Sequence, residues 1–189
     1  MNKSKLTTYY LLYFTVLVLS CHYKGNEKNI VKEESEYLHL VERKIEKLIK
    51  DNLNIALDNQ IVFFGIDSLN VLEFKTIADS CRIFFYFSSQ SCPPCIQQIV
   101  HYIKDVWPDF ENNEMIVFIS PDLDSRYKQN YYGKEILTLS NGQLGIPLEK
   151  EHVPFLFVLN HELVVEKLHI VNKNEFIKTL EFIKGINKN

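Results

Sequence analysis

The chain has 189 residues, 46% of them hydrophobic and 24% charged, which fits one folded domain with a short extra segment and excludes wholesale disorder. Its 21 basic and 24 acidic side chains give a formal charge of −3, without the basic excess that nucleic-acid binding needs. Six Gly, six Pro and no internal repeat exclude collagen-like and solenoid architectures, and four Cys are too few for a disulfide-stapled scaffold.

The N-terminus opens with Lys3 and Lys5, runs apolar over 9–19 and closes on Ser20-Cys21. A run of that length is short of the roughly 20 residues that cross a hydrocarbon core. The layout is that of a secretory signal with a small residue before the cut. Val18-Leu19-Ser20-Cys21 resembles a bacterial lipobox. The resemblance implies cleavage after Ser20, lipid on Cys21 and a place in the bacterial cell envelope, on the extracytoplasmic (periplasmic) side. An ordinary signal or an uncleaved anchor is the alternative. Loss of residues 1–20 removes two lysines and no acid, so the formal charge becomes −5. The rest is long enough for one domain with a sizeable core. Export also places the other cysteines where disulfides persist.

Residues 22–30 are polar and without period, as a tether would be. Leu38, Val41, Ile45 and Leu48 then recur at helical spacing and predict an amphipathic helix over about 32–51, with Glu33 and Glu34 early and Lys47 and Lys50 late. It packs on the domain edge or serves as a spacer or dimer helix. Residues 61–65 read as a strand, and 71–78 is ambiguous between strand and helix. The continuous apolar runs 83–87 and 115–119 read as strands buried on both faces. Between them a helix shows Ile96, Ile99, Val100, Ile103 and Trp107 on one face, until Pro108 stops it. The polar stretch 121–147 predicts one short helix near 126–138 and otherwise a solvated insert. Strands follow at 155–159 and 163–171. An amphipathic helix over 174–186, with Phe176, Ile177, Leu180 and Ile183 as its face, closes the chain. The order predicts an α/β domain with a mixed sheet. The organisation is a signal peptide at 1–20, a tether and helix at 21–55, and a domain at 56–189.

Cys92-Pro93-Pro94-Cys95 stands where a buried strand turns into a helix. Cys92 would occupy the helix N-terminus, where free N–H groups and the macrodipole favour a thiolate. Pro93 suits the first turn, since its missing N–H would have no partner there. Cys95 lies one turn deeper on the same face. Cys92 can attack a disulfide and Cys95 can resolve the mixed disulfide. A C-x-x-C beside a βαβ pattern is a thioredoxin-like redox signature.

Phe87-Ser-Ser-Gln-Ser-Cys92-Pro-Pro-Cys95 resembles the active-site turn of thioredoxin-fold proteins, in particular the TlpA/ResA-like redoxins of the cell envelope. His152-Val153-Pro154-Phe155 resembles that family's strand reached through a cis-proline. The resemblance covers about 56–189. It implies a thioredoxin-like three-layer fold, a mixed central sheet flanked by helices. By it, Pro154, preceded by Val153, shapes a substrate groove facing the Cys pair. It implies a thiol–disulfide oxidoreductase with protein thiol and disulfide clients and a membrane electron donor. No organic cofactor or metal is implied, because the dithiol carries the two electrons. Two positions depart from the family. Ser91 replaces the Trp before the first Cys. Tyr86 stands where thioredoxin has a buried acid and is a poor base near neutral pH; Glu73, Glu162 or water are the other candidate acceptors.

The competing readings are a structural disulfide in a binding module, and half of a zinc site. Zinc needs four ligands in a structural site and no second C-x-x-C exists; His101 and His152 are conceivable partners. His101 reads as a helix surface residue, and His152 borders the groove by position. Cys81 reads as a small buried apolar residue or an additional redox partner. No Walker loop, G-x-S-x-G or H-E-x-x-H occurs. The Ser-Ser-Gln-Ser before Cys92 lacks the Pro/Thr loop of the peroxidase branch, which disfavours peroxide reduction.

Overall fold

The computed structural model describes residues 36–64, 71–80, 83–122, 132–172 and 175–187. Cys21, Cys81 and most of the segment expected to hold a helix near 126–138 lie outside them. The chain divides into two units, one ending at Glu46 and the other starting at Lys47. Helix α1 covers 36–52 and begins in the first unit, where Leu38 is exposed.

In the second unit a seven-strand sheet has the order β2-β1-β5-β4-β3-β6-β7. Its strands are β1 (Ile61–Phe64), β2 (Val71–Glu73), β3 (Ile83–Tyr86), β4 (Ile116–Ile119), β5 (Ile136–Leu139), β6 (Phe155–Leu159) and β7 (Val165–Ile170). β3 pairs parallel with β4, and β4 with β5; β6 runs antiparallel to both β3 and β7. β1 adds antiparallel to β5, and β2 to β1. Helix α2 is Phe74–Ser80, α3 is Pro93–Val106 and α4 is Phe176–Asn187. The β3-α3-β4 unit followed by β6-β7-α4 is the thioredoxin-like arrangement.

Alternation along β3 sorts its side chains between two layers. Ile83, Phe85 and Phe87 join the core formed with Cys95, Ile96, Ile99 and Ile103 of α3 and with Ile183 and Ile186 of α4. Phe84 faces the other way, stacks on Phe157 with 5.0 Å between centroids and meets Phe74 of α2 at 5.5 Å. The sheet is thus the middle of three layers. Every residue of the predicted α3 face is buried. The helix ends where expected, with the Trp107 N–H on the Ile103 carbonyl and Pro108 next.

The ambiguous 71–78 segment is both elements in succession. Asn59 switches one into the other: its Oδ1 accepts the Lys75 N–H at 3.0 Å while its amide donates to Glu73. Near the second edge, residues 54–57 lie against 163–165 through N–H bonds from Asn54, Leu57 and Val165 of 2.9 Å. Asn52, at the end of α1, is buried and accepts the Leu148 N–H at 2.9 Å.

Two expectations are corrected. Residues 136–138 belong to strand β5, not to a helix: Ile136 and Leu137 are buried where the strand lies between β4 and β1. On α4, Ile177 is 75% exposed, while Thr179, Ile183 and Ile186 are buried. The helix is rotated so that Thr179 faces the sheet, where its Oγ1 lies 2.8 Å from His169 Nε2 of β7. His169 also stacks on Phe182, and its burial holds the imidazole pKa down to about 4.

Candidate redox site

The chain leaves β3 at Tyr86, and Phe87 still donates its N–H to the Ile119 carbonyl. Ser88 to Ser91 form a tight turn closed by the Ser91 N–H on the Ser88 carbonyl at 3.0 Å. Cys92 is the N-cap of α3, and Pro93 and Pro94 are its first two residues. Cys92 and Cys95 form a disulfide with Cα atoms 5.3 Å apart. The two residues are unequal, since Cys92 is exposed and Cys95 is buried against the core. A nucleophile from solvent therefore reaches Cys92 first.

The two prolines change the electrostatics of this helix start. A helix normally leaves its first four N–H groups free to face an anion. Pro93 and Pro94 have none. The Ile96 N–H is already taken by the Cys92 carbonyl at 3.1 Å. Only the N–H groups of Cys92 and Cys95 remain for a thiolate. No side chain caps the helix.

The turn is fastened on two sides. Asp122, just after β4, accepts both the Ser89 N–H and the Ser89 hydroxyl at 2.8 Å. Ser91 is 3% exposed. Its hydroxyl donates to the His152 carbonyl at 3.0 Å and accepts the Ser88 N–H at 3.0 Å. The second contact brings the redox turn against the start of β6, two residues before the buried Pro154. The Ser91–His152 bond thus links the turn that carries Cys92 to the chain two residues before Pro154.

One detail of that resemblance is corrected. All described peptide bonds are trans, the bond before Pro154 included. The chain turns earlier instead. Residues 147–151 form a 3-10 helix, and His152 ends it in the left-handed region with φ 53°. Direction is already reversed before the proline. The Pro154 carbonyl accepts the Val171 N–H at 3.0 Å and fixes the start of the strand.

Tyr86 has an unforeseen neighbour. Burial, then Glu149, whose carboxylate also accepts the phenol's hydrogen bond, and then Asp122 push the Tyr86 hydroxyl far above the usual phenol range. It stays protonated and acts as a donor, not as a base. The same Glu149 carboxylate collects the N–H groups of Leu144, Gly145 and Ile146 at 2.8–3.1 Å. Gly145 adopts φ +91°, a conformation L side chains disfavour, where those N–H groups converge. Glu73 and Glu162 lie elsewhere. Glu73 ends the edge strand β2, and Glu162 sits in the exposed turn before β7. The pattern Pro147-Leu-Glu149, a proline at the first helical position and an acid two residues on, is the sequence signal that would have flagged Glu149. Asp122 carried none.

The other candidates are peripheral. His101 is exposed on α3 and pairs with Asp105 at 3.6 Å. The His152 side chain is exposed, and only its main chain joins the site.

No family model and no curated protein matches the chain. Solved structures do. A solution structure assigned as a protein disulfide isomerase from Bacteroides thetaiotaomicron is 13% identical, covers 72% of this chain and 91% of its own, and has a TM-score of 0.47. A secreted thiol-disulfide isomerase from Corynebacterium glutamicum is 10% identical over 70% of this chain and 86% of its own, with a TM-score of 0.45. A variant of PrxQ from Xylella fastidiosa is 10% identical over 71% and 96%, with a TM-score of 0.44.

Proposed function

We propose that the chain is an exported, lipid-tethered thiol–disulfide oxidoreductase whose clients are protein disulfides, and that it works as a reductant. The observation that carries this reading is the asymmetric pair at the start of α3, an exposed Cys92 bonded to a buried Cys95. In the reduced protein the Cys92 thiolate attacks a client disulfide. A bond forms between Cys92 Sγ and one client sulfur, the client S–S bond breaks, and the second client sulfur leaves as a thiolate that takes a proton from water. The Cys95 thiolate then attacks Cys92 Sγ, re-forming the Cys92–Cys95 bond and releasing the client as a dithiol. Two electrons pass to the client. A dithiol donor at the membrane reduces the pair again.

The direction follows from charge. An oxidant keeps its reduced form stable by stabilising a thiolate. Here Pro93 and Pro94 remove two N–H donors from the helix start, and no side chain caps it. That disfavours the thiolate and so makes the dithiol a better donor. The lipid tether rests on Val18-Leu19-Ser20-Cys21, outside the described residues.

The test is reduction of insulin by protein lacking residues 1–21 with a dithiol as electron source, joined to a redox titration. Cys92→Ser should lose all turnover, and the pair should titrate near thioredoxin's value, about −270 mV. A value near −120 mV would reverse the direction. A pair well below about −300 mV that exchanges slowly would make the bridge structural and the chain a binding module.

A further inference from the structure

We propose that Ser91 is a positioning residue for the dithiol. Through its hydroxyl it sets the distance between Cys92 and the Val153-Pro154 segment, and so the width of the cleft in which a client disulfide must lie. The inference rests on the proposed function and deepens it.

Three observations carry it. Ser91 directly precedes Cys92, so a shift of one moves the other. Its hydroxyl bonds main-chain groups on both sides, donating to the His152 carbonyl at 3.0 Å and accepting the Ser88 N–H at 3.0 Å, and it also lies 3.3 Å from the Ser88 hydroxyl. Ser91 itself is 3% exposed and its bond to the Ser88 N–H is buried, so water does not readily replace that bond. His152 is itself held, because its left-handed conformation ends the 3-10 helix and its N–H donates to the Glu149 carbonyl at 3.3 Å. The carbonyl that Ser91 grips is therefore a fixed point two residues before Pro154. Asp122 holds the same turn from the β4 side by a separate pair of bonds, so the turn survives loss of the Ser91 contact while its spacing to β6 relaxes.

A merely structural serine and a positioning serine differ in what they protect. A small disulfide such as DTNB needs only the Cys92 thiolate. A folded protein disulfide also needs the cleft. Ser91→Ala should slow insulin reduction about tenfold relative to wild type, as expected for a small misplacement of reacting groups, and leave DTNB reduction within about twofold. Ser91→Thr keeps the hydroxyl and should restore most of the insulin rate. Thr179→Ala removes another buried hydroxyl, far from the cysteines, and should leave the ratio of the two rates unchanged. Equal losses with both substrates in Ser91→Ala, or no loss with either, would overturn the proposal. So would a Ser88 amide in wild type that exchanges with deuterium as fast as a free one, a measurement that needs no variant. Wild-type protein that reduces neither substrate would instead sink the proposed function.

Discussion

Two partly buried polar contacts in this molecule are built alike and stand in different company. The Ser91 hydroxyl joins the β3–α3 turn to the main chain before β6. The His169 ring joins β7 to Thr179 of α4. Each links two elements far apart in sequence, and each satisfies polar groups that would otherwise be stranded. Beside Ser91 is the exposed residue Cys92; around His169 are Phe182 and the sheet. The same kind of bond therefore has two different consequences. At His169 it is a matter of stability, whereas at Ser91 it also sets the geometry of reacting atoms.

The largest effect belongs to His169. Its folded pKa of about 4 lies below the ordinary value of 6.5, so the unfolded chain binds the proton first as pH falls. The stability this confers is complete above about pH 6.5 and is lost as pH falls toward 4. A loss of about 2–3 kcal/mol is expected across that window, and His169→Gln should flatten it in urea titrations at successive pH values. Next comes the helix start. Pro93→Ala returns an N–H to the first turn of α3, stabilises the Cys92 thiolate and should make the pair more oxidising by about tenfold in its exchange constant with glutathione, close to 30 mV. A shift the other way would break the electrostatic account of direction. The smallest change is Thr179→Ala, expected to cost about 1 kcal/mol of stability in the same urea assay with the redox titration unmoved. A moved potential would erase the distinction between the two contacts.

Much of the fold was legible because burial on both faces writes itself as continuous apolar runs. β3, β4 and β6 could be read that way, and α3 from its 3.6-residue stripe ending at Pro108. β5 could not. Ile136-Leu-Thr-Leu139 is four residues in polar surroundings, and it is a strand because β1 and β4 hold it on either side. The face of α4 was misread at Ile177 because hydropathy takes Thr179 for a surface residue, and only its tie to His169 accounts for its burial. At the site, the paired cysteines were legible from the local C-x-x-C motif. The contacts of Ser91 with residue 152 and of Tyr86 with Glu149 bridge about sixty positions, and no local pattern encodes them.

The borders of the sheet have a consequence of another kind. A free strand edge is a template on which other chains can pair and aggregate. The β7 side is partly occupied by the protein's own residues 54–57, which take up main-chain groups of 163–165. The opposite border, β2, exposes Val71 and Leu72 but is only three residues long and ends in an acid. A foreign strand is therefore blocked at the start of β7 and finds β2 too brief to grip, so among the described residues the stretch 166–170 is where edge pairing would begin.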